Sequence, residues 1–206
     1  MAENEITTGI EVGLGSPSPI HLKWSAQVSR RWSDRGEAVL NQVASEVGGS
    51  DRLSDLLEAN PDLDALLMRA AMAGAATAYE DKRRALARAV AQAAIDSAVI
   101  DESALTVDVI SQLEAVHVRA LELIASAEER ARSEGDLGAV AFGAEKPLTQ
   151  QVSQAVEGVP DPVLRRLQGE GLLDASINWD GRAHVSGLTS MGQAILDELR
   201  EVSPED

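Results

Sequence analysis

Apolar residues recur three or four positions apart over most of this chain, and alternate with polar ones in the stretch from Leu173 to Trp179. The first spacing lines one face of a helix and the second one face of a strand. The pattern therefore predicts helices throughout, with one short β-ribbon near the C-terminus. Residues 1–20 hold Gly9, Gly13, Gly15, Pro17 and Pro19 with little periodicity and read as a flexible extension. Helical spacing begins at His21. From Arg35 it brings Val39, Leu40, Val43 and Val47 to one side, until Gly48-Gly49 ends the run. Ser50 or Asp51 is then placed to cap a short helix bearing Leu53, Leu56 and Leu57. Asn60-Pro61-Asp62 stops it, since proline disfavours helix at the residue before it.

The longest helical pattern runs from Asp62 to Ser97, yet its apolar stripe changes direction. Leu63, Leu66, Leu67 and Ala70 define one face, while Leu86, Val90 and Ala93 lie well over 100° around the axis at ~100° per residue. Either the helix is bent or split near Gly74 to Asp81 or its halves pack against different neighbours, and the alanine-rich run Ala70 to Ala76 predicts a close helix crossing there. Ile100 to Ser103 interrupts the spacing, and a second long helix is expected from about Val107 to Ser133, with Val109, Leu113, Val116, Ala120, Leu123, Ile124 and Ala127 inward. His117 stands at the edge of that face, where it is expected to be half-buried and bonded to a backbone carbonyl or to Glu114. These two long patterns should form the core of an antiparallel bundle over residues 21–134, and Gly135, Gly138, Gly143 and Pro147 mark a linker over 135–147.

Residues 148–206 carry a different order of signals. Leu148, Val152, Ala155 and Val156 space as a short helix; Asp161-Pro162 opens another, expected over 162–170, and Gly171 stands where a left-handed C-cap belongs. The alternating stretch follows, with Asp180-Gly181 as its turn. A two-residue loop would set the apolar faces of the two strands against each other. Pairing Ala175 with Val185 and Ile177 with Ala183 aligns them, which predicts a three-residue loop Trp179 to Gly181 with Gly181 left-handed. Thr189 begins a last helix striped by Met191, Ile195 and Leu199. Pro162-Val163-Leu164-Arg165-Arg166-Leu167, Gly171-Leu172-Leu173 and Leu188-Thr189-Ser190-Met191-Gly192 resemble the winged-helix domains of bacterial regulators, in which a Gly-Leu pair ends the recognition helix and a Leu-Thr-x-x-Gly segment opens the helix after the wing. The whole chain, with its Leu113-Glu114-Ala115-Val116-His117 segment, also resembles bacterial proteins that join a helical bundle to a winged tail, a likeness that implies no activity. The fold expected is mainly α: an antiparallel helical bundle followed by a small α+β winged-helix domain with a two-stranded hairpin.

That resemblance implies a DNA-reading surface at Arg165, Arg166 and Gln168 on the second helix, with Arg182 and His184 near the wing. Charge opposes it. The net charge is −16, divided as −3 over residues 1–20, −8 over 21–145 and −5 over 146–206, so no segment of domain size is basic, and Asp161, Glu170, Asp174 and Asp180 surround the would-be readers. Two local basic clusters remain. His21, Lys23, Arg30, Arg31 and Arg35, interspersed with Trp24 and Trp32, could stack and contact phosphates but read more simply as a helix anchored by its tryptophans. Lys82, Arg83, Arg84 and Arg88 beside Glu80 and Asp81 read as a solvated face or an intramolecular salt-bridge belt rather than a phosphate ridge.

Composition narrows the chemistry further. Cysteine is absent, aromatics are 2%, and the three histidines stand far apart, so no thiolate nucleophile, disulfide or metal-spaced ligand set is legible. Gly13-Leu14-Gly15 runs into Ser16-Pro17-Ser18-Pro19 instead of a helix and is not a nucleotide loop. No apolar run approaches the roughly 20 residues of a membrane span, and the start lacks the form of a signal peptide, so a cytoplasmic chain is expected. With no catalytic residue, cofactor, metal or small-molecule substrate to nominate, the expectation is a noncatalytic interaction or adaptor protein with a protein partner or homo-oligomer, the alternative being a DNA-binding regulator acting through the winged helix.

Overall fold

The computed structural model describes the chain over residues 19–133, 147–177 and 183–200, with side chains over 28–133, 151–176 and 184–200. The expected extension before Pro19, nearly all of the linker, the loop Trp179 to Gly181 with its left-handed glycine, and Arg182 lie outside these residues. The chain is mainly α, with one two-stranded antiparallel hairpin near the C-terminus.

Helix α1 (Pro19–Val47) is one continuous helix whose stripe buries Val39, Val43 and Val47. Gly48 and Gly49 end it with φ of 99° and 124°, conformations that cost a side chain strain. Because Gly49 rather than Ser50 or Asp51 holds the cap position of α2 (Ser50–Ala59), no side chain caps that helix, and Ser50 is already helical. Asn60 closes α2 and opens α3 (Pro61–Ala76): its Oδ1 accepts the amides of Asp62 at 3.1 Å and Leu63 at 3.3 Å. The longest pattern is split, one of the two outcomes its rotating stripe allowed, α3 giving way at Thr77 to α4 (Glu80–Ile95). Helix α1 crosses α3 where the sequence is smallest. Gly74 faces Val39 so closely that any Cβ there would collide with it.

A 3-10 turn over Ser97–Val99 leads into α5 (Ile100–Gln112), and α6 spans Ala115–Ser133. Here the expected single helix from 107 to 133 is corrected, since the chain breaks at Leu113 and Glu114. Beyond the break Ala120, Ile124 and Ala127 are buried as expected, but Val116 and Leu123, expected inward, are exposed, and Leu121 and Ala131 are buried in addition. Packing shifts with it. The bundle is formed by α1 to α5, whereas α6 packs chiefly against the C-terminal elements rather than completing the bundle core.

Those elements are α7 (Pro147–Ala155), α8 (Asp161–Gly169), β1 (Leu173–Ile177), β2 (Ala183–Leu188) and α9 (Ser190–Arg200). Helix α8 starts one residue earlier than expected, with Pro160 at its cap and no capping side chain. Its end follows the sequence closely. Gly171 has a φ of 72°, Leu172 N–H donates to Leu167 O at 2.9 Å and Gly171 N–H to Gln168 O at 2.9 Å, the paired bonds of a Schellman motif. The strands pair Ala175 with Val185 and Ile177 with Ala183, the register that aligns the apolar faces, and an irregularity between Asp174 and Ala175 leaves Ser186 as the extra residue of a bulge.

The two ends of this unit are tied through one residue. Thr189 N–H donates to Leu172 O at 3.1 Å, its hydroxyl donates to Gly171 O at 2.6 Å, and the same oxygen accepts Gly192 N–H at 2.9 Å. A side chain at Gly192 would strike the Leu172 carbonyl, so the Gly-Leu pair and the Leu-Thr-x-x-Gly segment are two halves of a single contact. The buried apolar residues of both regions belong to one cluster, from Val39 through Leu121 to Leu199.

Candidate functional site

The residues singled out for DNA reading are placed by α8 and β2, where Arg165 and Arg166 are exposed and Gln168 and His184 are half-buried. Arg166 Nη2 donates to Gln112 Oε1 at the end of α5 and pairs with Glu170 Oε1 at 3.1 Å. Gln168 Nε2 donates to the Ala175 carbonyl at 2.8 Å, fixing α8 to β1. His184 Nδ1 lies 3.3 Å from the Ser153 hydroxyl of α7. Arg165 is exposed on α8, and Arg182 lies outside the described residues. Arg166 and Gln168 therefore bond α8 to its neighbours, Arg166 while still exposed to solvent.

Arg166 also leads to the densest group of titratable side chains, at the break between α5 and α6. Lys82 of α4 is only 3% exposed, and its ammonium donates to Ser111 O at 2.8 Å and Leu113 O at 2.7 Å. It thus satisfies carbonyls that α5 leaves free at its end, where the helix dipole is negative. On the other side of the break, Glu114 N–H donates to His117 Nδ1 at 2.9 Å, while Glu114 O accepts the amides of His117 at 2.8 Å and Val118 at 3.2 Å. A third-position side chain reaching back to the cap amide is half of a capping box, here made by histidine. The amide that would continue α5 is thereby diverted, and the break needs neither glycine nor proline.

Burial holds the Lys82 ammonium below the usual lysine range, against the pull of the Glu114 carboxylate. Burial likewise lowers the His117 imidazole, with the Arg166 and Lys82 cations adding to it and Glu114 opposing. Acceptance at Nδ1 requires that nitrogen to be unprotonated, which agrees with the direction. The unfolded chain then binds a proton at His117 more readily than the folded one, so stability is full above the ordinary histidine pKa of about 6.5 and falls as pH drops through the lower folded value. Thermal melts at pH 5.5 and 7.5 should show this acid-side loss, and His117→Gln, which keeps an acceptor and cannot charge, should flatten it. An unchanged slope in that variant would remove His117 from the account.

The other basic side chains of α4 are also engaged. Arg83 donates to Thr77 O at 3.3 Å, Arg84 pairs with Glu80, and Arg88 lies 3.6 Å from Glu198 Oε2 of α9. The salt-bridge reading holds for Arg84 and Arg88, whereas Lys82 and Arg83 bond backbone carbonyls. Sequence reasoning passed over Glu128, which is 6% exposed on α6. Its Oε1 accepts Leu188 N–H of β2 at 2.9 Å and its Oε2 pairs with Arg132 at 3.1 Å. Both Lys82 and Glu128 were detectable as charges at core positions, Lys82 in the spacing of Leu86, Ala89 and Ala93, and Glu128 in that of Leu121, Ile124 and Ala131.

These groups form a structural junction, in which each polar atom described is spent on a cap, a strand amide or a neighbouring charge. Among the described residues, no group of three or more histidine, aspartate or glutamate side chains is placed to hold a metal ion, and no helix is long and apolar enough to cross a membrane. Compared with protein-family models, with curated proteins and with solved structures, the chain matches none.

Proposed function

We propose that this chain is a noncatalytic interaction protein, in which the helical bundle and a C-terminal unit of winged-helix form present surfaces to protein partners. The observation that carries this reading is that Arg166 and Gln168 are hydrogen-bonded within the fold, to Gln112 and to the Ala175 carbonyl. A winged helix that reads DNA keeps such side chains free for base edges, whereas here they join α8 to α5 and β1. The charge of −16 supports the same reading, since affinity for nucleic acid rests largely on cations that displace counterions from phosphates. Protein contact needs no such excess.

The test is a pulldown from the native host with and without nuclease, paired with retention of the purified chain on a DNA column over a salt gradient. The interaction reading expects a protein partner or further copies of the chain to be recovered regardless of nuclease, and elution from DNA with the void even at about 50 mM salt. Retention that falls steeply with salt and is lost in Arg165→Ala would overturn it in favour of a DNA-binding regulator.

A further inference from the structure

The apolar stripe of α1 continues beyond the bundle that it helps to build. Val28, Trp32, Gly36, Val39, Val43 and Val47 follow one another at steps of three and four, on one side of the helix. Val39, Val43 and Val47 are fully buried, but Trp32 is 46% exposed and Val28 42%. Gly36 faces Ala71 and Ala75 near the end of α3, which stops at Ala76. At 1.5 Å per residue, Val28 stands about 12 Å past that crossing, so the start of α1 runs beyond the end of α3 with its apolar side left nearly half exposed.

A second exposed apolar face lies on α3. Ala65, Met68, Met72 and Ala76 are all exposed at helical spacing, with Met68 at 54% and Met72 at 59%. The two faces carry opposite charge at their borders. Arg31 stands at the edge of the Val28–Trp32 strip and is exposed, and residues 21–35 sum to +3 while the rest of the chain sums to −19. Asp62 and Asp64 flank the α3 face and are exposed, whereas its cation, Arg69, is paired with Asp108 at 2.8 Å.

We propose that these faces meet between two copies of the chain, the Val28–Trp32 strip of each α1 lying on the Met68–Met72 stripe of the other copy's α3. This deepens the reading of the chain as an interaction protein and rests on it. A two-fold axis makes the contact twice, so each apolar face finds a cover and each basic border an acidic one. Methionine suits the acceptor because its flexible, polarisable side chain packs well against an aromatic ring.

Sedimentation velocity of the full chain tests the assignment. The wild type should sediment as a dimer at about 10 µM and dissociate with rising salt. Trp32→Ala and the pair Met68→Glu with Met72→Glu should each weaken the dimer by at least about tenfold without changing helical circular dichroism, since all three positions are exposed. Arg31→Glu, and Asp62→Lys with Asp64→Lys, should each give monomers alone but a heterodimer when mixed. A wild type that stays monomeric at about 100 µM, or a dimer indifferent to all four variants, overturns the proposal. A monomer that still recovers another protein from the host sinks self-association alone; a partnerless monomer sinks the interaction reading with it. Nucleic-acid binding lost in Arg31→Glu would also overturn it.

Discussion

Replacing Lys82 with alanine is expected to destabilise the fold by about 2–4 kcal/mol, more than any exposed substitution in the chain. Two losses combine. The aliphatic stem is packed in the α4 face with Leu86 and Ala89, so truncation leaves a void. The ammonium also satisfies Ser111 O and Leu113 O at the end of α5, and both carbonyls would lose their donor. Against this stands the unfavourable burial of the charge itself, evident in the lowered pKa of Lys82. Lys82→Met separates the terms. It keeps most of the volume and abolishes the charge, so its deficit of about 1–2 kcal/mol reports the unsatisfied carbonyls less the relieved desolvation. Urea unfolding monitored by circular dichroism gives both numbers. Amide exchange should quicken at Glu114, His117 and Val118 in either variant, because the break between α5 and α6 loses the cation that holds it open. A Lys82→Met protein as stable as the wild type, with unaltered exchange there, would show that the carbonyls do not need this donor.

The same junction shows what the amino-acid pattern could and could not reveal. The change of face between Leu63, Leu66 and Leu67 and Leu86 and Val90 was legible, and it left either a split or one helix with two packing partners; the chain takes the split. The strand register was legible for a like reason: only one pairing puts Ala175 and Val185 on the side that also carries Ile177. The break at Leu113 and Glu114 was not, because besides the local bond of the Glu114 amide to His117 it draws on Lys82, which reaches two carbonyls from another helix. Local spacing reports which way a side chain points from its own helix, and carries no record of a distant donor. The candidate surface suffered in the same way. Arg165, Arg166 and Gln168 were chosen as the polar face of a short helix, but whether that face meets water or α5 is decided by how α8 settles on the bundle, which Gln112 and Glu170 help to fix. The aromatic, basic start of α1 was legible as an oddity, and its geometry beyond the crossing with α3 turns that oddity into an interface.

Glu128 and Gly187 should prove energetically coupled. The carboxylate of Glu128 lies in the space where a side chain at Gly187 would have to go, and its Oε1 takes the neighbouring amide of Leu188. Glu128→Ala is expected to cost about 2–3 kcal/mol, because it leaves the Leu188 N–H without its acceptor beside a vacated volume; the bond to Arg132, whose side chain is largely exposed, adds little. Glu128→Gln retains an acceptor of the same shape and should cost under about 1 kcal/mol. Gly187→Ala alone should cost about 1–3 kcal/mol, since the added methyl displaces a buried carboxylate that has nowhere else to bond. In the double variant that methyl enters room which Glu128→Ala has emptied, so the combined loss should fall short of the sum of the single losses by at least about 1 kcal/mol. A double-mutant cycle by urea denaturation measures that shortfall. Strict additivity would mean that the close approach of α6 to β2 is tolerated rather than required, and that the hairpin is held to α6 by its apolar face alone.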